Sequence, residues 1–337
     1  MAEKYKVLGL GKMVGGNMDP EEKELSVIDA EVEVVEARCA TEDELIAAAA
    51  DADLIIGGNG RMFTRKVIES LPKCKAILTY SVGFDTLDIQ AATEQGILIV
   101  NNAARGWCAE EVSNHAIALI LNCAKKLMYF NDLVKQGRWV DARDAQAPMG
   151  SIHGQTLGLI GCGELGRMTA RKAQVFGLRT ICFDPYLDKS LANEYNITTM
   201  SMEEVLKEAD YVSIHTPLND ETRHLMGEKE FSLMKPSAYV INTARGPVID
   251  EPALIKALQE KKIAGAGLDV FEQEPVDPEN PLLKMDNVIA LPHSASYSDA
   301  AVETAPVSAG KSAATILSGN WPRNIINKDV KPRIPLK

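Results

Sequence analysis

Short apolar runs alternate with amphipathic stretches along nearly the whole chain, and that alternation limits the fold more than any other feature. In the first part YKVLGL, EVEVVE, DLIIGG, KAILTY and GILIV read as short strands. Between them lie helical stretches such as TEDELIAAAA, where Thr41 and Glu44 stand at the spacing of a capping box. Further on the pattern restarts with TLGLIG, RTICFD, YVSIHT, AYVINT, IAGAGLDV and NVIALP. Consecutive strands joined by helices pair in parallel through right-handed crossovers, so each half is predicted to be a doubly wound parallel-sheet α/β domain. An apolar-periodic segment from Ala109 to Lys135, stopped by Gly137, is too long for a crossover and is predicted to be a connector helix between the halves. From Ser298 the chain is helical again, with Pro306 inside the helix, before the tail KDVKPRIPLK.

The 337 residues are 46% hydrophobic and 25% charged, which suffices for two cores. Acidic residues outnumber basic ones 47 to 36, and the net charge of −11 includes no basic run, so no nucleic-acid partner is expected. The charged start MAEKYK does not fit a signal peptide, and no apolar run reaches the length of a membrane span. A cytoplasmic protein with no membrane partner is the expectation. Cys39, Cys74, Cys108, Cys123, Cys162 and Cys182 form no C-x-x-C pair and no metal-ligand spacing with the histidines. They are expected to be reduced, mostly buried and free of metal.

Two glycine-rich stretches compete for a dinucleotide. The first, KVLGLGKMVGG, places Gly9, Gly11, Gly15 and Gly16 after a strand, and a second strand ending in Glu36 follows at a suitable distance. Asp19, Glu21 and Glu22 then crowd the helix start that would have to receive a pyrophosphate, which argues against it. The second, LGLIGCGELGR, supplies Gly161, Gly163 and Gly166 in G-x-G-x-x-G spacing between a strand and a helix carrying Arg167, Arg171 and Lys172. The next strand ends in Asp184, where a carboxylate can bond a ribose 2′-hydroxyl and repel a 2′-phosphate. NAD rather than NADP is therefore expected.

The later strands deliver polar residues to one sheet edge, where ligands of open α/β sheets bind. AYVINT runs into Arg245 and Gly246; this arginine is either a carboxylate and carbonyl anchor or part of a surface ion pair. GAGLDVFEQEP delivers Asp269, Glu272 and Glu274, and NVIALPHSAS delivers Pro292 and His293. Arg, Glu and His together are the anchor, carboxylate and proton donor that reduction of a carbonyl requires. His115, His153 and His224 are expected to be structural, and His215 not catalytic.

The ordered set SVGFDTLD, GLIGCGELGR with FDPY, SIHTPLNDETRHLM, INTARGPVIDEPAL, GAGLDVFEQEP and LPHSAS resembles the D-2-hydroxyacid dehydrogenase family over nearly the whole length. The resemblance implies a Rossmann nucleotide-binding domain, 105–295, inserted into a flavodoxin-like substrate domain formed by 1–104 and 296–337. It implies that Arg245 binds the substrate carbonyl and carboxylate, Glu274 orients the acid/base, and His293 is that acid/base, beside the nicotinamide. Asp269 would hold the nicotinamide carboxamide. Gly161, Gly163, Glu164, Leu165, Gly166, Asp184, Thr216, Pro217, Thr222 and Thr243 would line the NAD site, and the amides of Val82 and Gly83 would receive the substrate carboxylate. The substrate would be a small 2-oxo acid and its D-2-hydroxy acid.

A homodimer through the nucleotide domains is implied as well, with the RWVDARDAQAPMG arm involved. His293 is followed by SASYS, a stretch not tied to one named substrate, and because the sequence ends soon after the return helix no regulatory domain like that of long phosphoglycerate dehydrogenases is expected. Two rival readings are an NAD-sensing interaction protein of the C-terminal-binding-protein type and a relative that oxidises formate or phosphite. Arg61 is either a second carboxylate contact or a solvated loop residue. Lys12 and Met13, in the first glycine loop, are candidates for setting substrate side-chain preference, against a loop of simple turn glycines.

Overall fold

In the computed structural model the described residues are 4–10, 23–26, 28, 30–57, 63–85, 87–101, 107–146 and 149–337. Lys12, Met13, Arg61 and Gly11, Gly15 and Gly16 of the first glycine loop lie outside them. The chain divides into two compact units, Met1–Cys108 with Tyr297–Lys337, and Ala109–Ser296.

The first unit holds a parallel sheet of β1 (Lys4–Leu10), β2 (Glu31–Ala37), β3 (Leu54–Gly57), β4 (Ala76–Leu78) and β5 (Leu98–Val100), in the order β2-β1-β3-β4-β5. That order is flavodoxin-like, with the topological switch between β1 and β3. The period of two along a strand sends alternate side chains to opposite cores. Leu8, Ile55, Ile77 and Ile99 pack with Leu45, Val67, Ile68 and Ala91 from helices on one face. Val7, Leu54, Ile56 and Leu98 pack with Ala309, Ala313, Ile316 and Leu317 of helix Asp299–Leu317 on the other. Burial on both faces makes β3, β4 and β5 continuous apolar runs, whereas β2 at the edge is only partly covered. The Thr41–Glu44 expectation is half met. Thr41 Oγ1 accepts from Glu44 N at 3.3 Å, but the Glu44 carboxylate takes the N–H of Ala40, one residue too early for a capping box.

The second unit holds β6 (Thr156–Ile160), β7 (Arg179–Phe183), β8 (Thr198–Thr199), β9 (Tyr211–Ile214), β10 (Tyr239–Asn242), β11 (Gly265–Leu268) and β12 (Val288–Ala290), all parallel, in the order β12-β11-β10-β9-β6-β7-β8. This is the Rossmann arrangement, with the switch between β6 and β9. β8 was not legible in the sequence, because two residues carry no alternation.

The predicted connector is not one helix. It forms Trp107–Lys125 and Leu127–Lys135, separated at Lys126, whose φ of 52° is left-handed and interrupts the helical ladder. The apolar periodicity runs on across the break, which is why the sequence reads as continuous. Gly137, at φ 75°, ends the second helix, with Gly137 N bonded to Val134 O and Arg138 N to Leu133 O.

Candidate active site

β6 ends at Ile160 and turns through Gly161, at φ 87°. A Cβ at Gly161 would lie 2.9 Å from Thr216 N, and one at Gly166 would lie 2.6 Å from Gly161 O. These glycines are demanded by packing. A Cβ at Gly163 would meet nothing within 4 Å among the described residues, so its bare face opens where a ligand backbone can approach. Gly163 is also the N-cap of helix Glu164–Val175 and supplies no side-chain cap, which leaves the first-turn N–H groups of Glu164 and Leu165 available to an anion.

Asp184, just past β7, closes this turn. Its Oδ2 accepts from Cys162 N at 2.7 Å and its Oδ1 from Tyr186 N at 2.9 Å. Lys172 does not serve the loop as its sequence position suggested. Its ammonium is held by Ser113 Oγ at 2.7 Å and Asn114 Oδ1 at 2.6 Å on the connector, with Glu110 Oε1 at 2.9 Å. Arg167 donates to Cys162 O at 3.0 Å and lies over the Tyr195 ring.

Thr216 and Thr243 follow β9 and β10, and each Oγ1 is buried with no partner among the described residues. A buried hydroxyl left unpaired is costly, and two at the ligand edge of a Rossmann sheet are what a polar cofactor would satisfy. The chain therefore fits a dinucleotide on three counts: the open glycine, the uncapped helix start and the orphaned hydroxyls. Thr222 is used differently. Its Oγ1 donates to Pro217 O at 2.6 Å and accepts from Asn219 N at 2.9 Å, so it shapes the loop after Thr216. His215 is buried beside Ser213 Oγ at 2.9 Å, and burial pushes its pKa down to about 4. It is neutral near pH 7.

Arg245 follows β10 in extended backbone. Asn242 fixes this turn: its Nδ2 donates to Arg245 O at 2.9 Å and its Oδ1 accepts from Ala244 N at 3.0 Å. Sequence reasoning missed Asn242, although an amide closing the apolar run AYVI was the signal. Asp269, after β11, is fully buried. Its carboxylate accepts from Ser294 N at 2.9 Å and Ala295 N at 2.8 Å, and its backbone carbonyl accepts from His293 N at 2.7 Å. Burial raises its pKa, but His115, with Nε2 3.5 Å from Oδ1, and those two N–H groups outweigh it and hold the carboxyl below its usual range. One residue thus clamps the turn carrying His293, whose φ of 55° is left-handed. His293 Nδ1 meets Glu274 Oε2 at 2.7 Å, and Glu274 Oε1 accepts from Phe271 N at 3.0 Å.

Val82 and Gly83 lie past β4 in the first unit. The carbonyls of Ser81, Val82 and Gly83 accept from Thr79 Oγ1, Asn101 Nδ2 and Ser81 Oγ at 3.0, 2.7 and 2.8 Å, so the turn is held by its oxygens.

A Rossmann sheet with an open glycine turn, an acidic residue past its second strand, and Arg, Asp and a His–Glu pair at its ligand edge defines an NAD-dependent oxidoreductase. The profile of the family described as "D-isomer specific 2-hydroxyacid dehydrogenase, NAD binding domain" matches residues 117–295. A glyoxylate reductase of Korarchaeum cryptofilum is 36% identical over 287 residues, covering 85% of this chain and 86% of that protein. Among solved structures, the holo form of Rhodotorula graminis D-mandelate dehydrogenase has a TM-score of 0.87 at 26% identity and covers 99% of each chain. Aquifex aeolicus D-lactate dehydrogenase, complexed with NAD and lactic acid, has a TM-score of 0.80 at 30% identity, covering 96% of this chain and 99% of that one. The chain belongs to the D-isomer specific 2-hydroxyacid dehydrogenase family.

Proposed function

We propose that this enzyme interconverts a small 2-oxo acid and its D-2-hydroxy acid, with His293 as acid/base and Arg245 as substrate anchor. The observation that carries the reading is the 2.7 Å contact between His293 Nδ1 and Glu274 Oε2, at the sheet edge that also presents Arg245. With Nδ1 engaged, proton exchange falls to Nε2. The Arg245 guanidinium holds the substrate carboxylate and opposes the negative charge that grows on the carbonyl oxygen. Glu274 fixes the orientation of the imidazole. Reduced NAD, when bound, supplies the hydride. Gly163 and the amides of Glu164 and Leu165 would hold its pyrophosphate, Asp184 its ribose hydroxyls, Thr216, Pro217, Thr222 and Thr243 its length, and Asp269 the carboxamide.

Several relatives named glyoxylate reductase make glyoxylate the first substrate to try. By family resemblance the Val82 and Gly83 amides receive its carboxylate. The alternative of an NAD-sensing interaction protein finds no support in these relatives.

The test is a panel of 2-oxo acids with NADH, for the wild type and His293→Ala. Wild-type turnover is expected on at least one acid, with glyoxylate first. The variant is expected to lose at least about 100-fold in kcat while its NADH affinity stays near normal. No turnover on any acid, or an equal loss of NADH affinity in His293→Ala, counts against the reading.

A further inference from the structure

A second histidine–carboxylate pair stands behind the first. Glu272 lies in the same FEQEP turn as Glu274, and both of its carboxylate oxygens are engaged. Oε1 meets His224 Nε2 at 2.6 Å and Oε2 accepts the N–H of Glu251 at 3.2 Å. Glu251 answers in kind, accepting the N–H of Glu272 on its Oε2 at 3.0 Å, and Asn280 Nδ2 fixes its Oε1 at 2.6 Å. His224 belongs to the loop that contains Thr222. Its backbone is left-handed at φ 53°, and its N–H bonds Pro247 O at 2.8 Å, just past Arg245. Gly246 sits so tightly on the FEQEP turn that a Cβ there would fall 1.8 Å from Phe271 O. The loops carrying Thr222, Arg245 and Glu274 therefore meet at Glu272.

We infer that His224 and Glu272 are positioning residues for reduction of the 2-oxo acid: their pair fixes the Phe271–Pro275 turn against the Arg245 turn, and so sets where Glu274 holds His293. This rests on reading Glu274 and His293 as the acid/base unit. The pair is part-exposed, 43% at His224 and 31% at Glu272, and a surface ion pair of that kind contributes little to global stability. Its contribution is geometric. A displacement of about 1 Å at a reacting group can cost on the order of 100-fold in rate, so the effect belongs in kcat and not in the melting temperature.

His224→Asn suits the left-handed backbone but is too short to reach Glu272. It is expected to lower kcat about ten-fold with NADH affinity and melting temperature nearly unchanged. His224→Gln, whose amide nitrogen reaches where Nε2 stood, is expected to restore kcat to within about three-fold of wild type. The double variant His224→Asn with Glu272→Gln is expected to be no slower than the slower single variant, as members of one interaction are. Glu272→Gln, which at constant size sets an amide nitrogen against either His224 Nε2 or the Glu251 N–H, is expected to lower kcat in the same direction. A kcat for His224→Asn within about two-fold of wild type overturns the inference, since coupled positioning should exceed that; so does an equal loss in the Asn and Gln variants. His293→Ala separates the two claims. If it keeps turnover, the acid/base reading falls; if it alone is inactive, only the positioning role falls.

Discussion

At the scale of single residues, glycines that look alike in the sequence have opposite uses. Gly163 has open space where a Cβ would go and a φ of −63°, which any residue adopts. Gly163→Ala is therefore expected to unfold at the wild-type temperature while its NADH dissociation constant rises at least about ten-fold, because the added methyl occupies the ligand's approach. Gly246→Ala has no room, with Phe271 O at 1.8 Å, and is expected to destabilise the chain severely. Calorimetry and NADH fluorescence titration on both variants check the contrast. Arg245, Asp269, Glu274 and His293 stood out as candidates because each follows an apolar strand-like run that a charged or polar residue interrupts. The partners of His115 and His224 were not. Each histidine looks like an ordinary helix or loop residue until the fold brings Asp269 or Glu272 to it from far along the chain.

At the scale of elements, strands were easier to read than helix ends. A strand buried on both faces advertises itself as an apolar run, and β6, β9, β10 and β11 fall within the predicted segments. The connector was misread because periodicity records which side chains are apolar and not whether the backbone ladder continues. Lys126 is the residue that breaks it. Glycine adopts that left-handed backbone without the steric cost a Cβ brings, so Lys126→Gly is expected to gain about 0.5 kcal/mol, and Lys126→Val, β-branched at positive φ, to lose about 1 kcal/mol. Urea unfolding reads the sign directly. Were the helix continuous, glycine would be the worse of the two.

At the scale of the whole molecule, the connector and the arm after it leave large apolar side chains uncovered. Trp139 is 61% and Val140 68% exposed, with Leu127 and Met128 also bare. Such a cluster marks an interaction surface, and we expect a second copy of the chain to cover it. Light scattering should give twice the 36.6 kDa chain mass, falling to the monomer when Trp139 and Val140 are both changed to Asp. A monomeric wild type removes the dimer.

The split first unit has a consequence for how the protein is made. Val7, Leu54, Ile56 and Leu98 emerge early from the ribosome, but Ala309, Ala313, Ile316, Leu317, Val330 and Ile334, which cover that sheet face, come from the end of the chain. The whole of Ala109–Ser296 is synthesised in between. For that interval the nascent chain carries an unfinished apolar sheet, open to aggregation and to holding chaperones. A ribosome that stops after Ser296 releases a cofactor-binding unit joined to a substrate unit that cannot close.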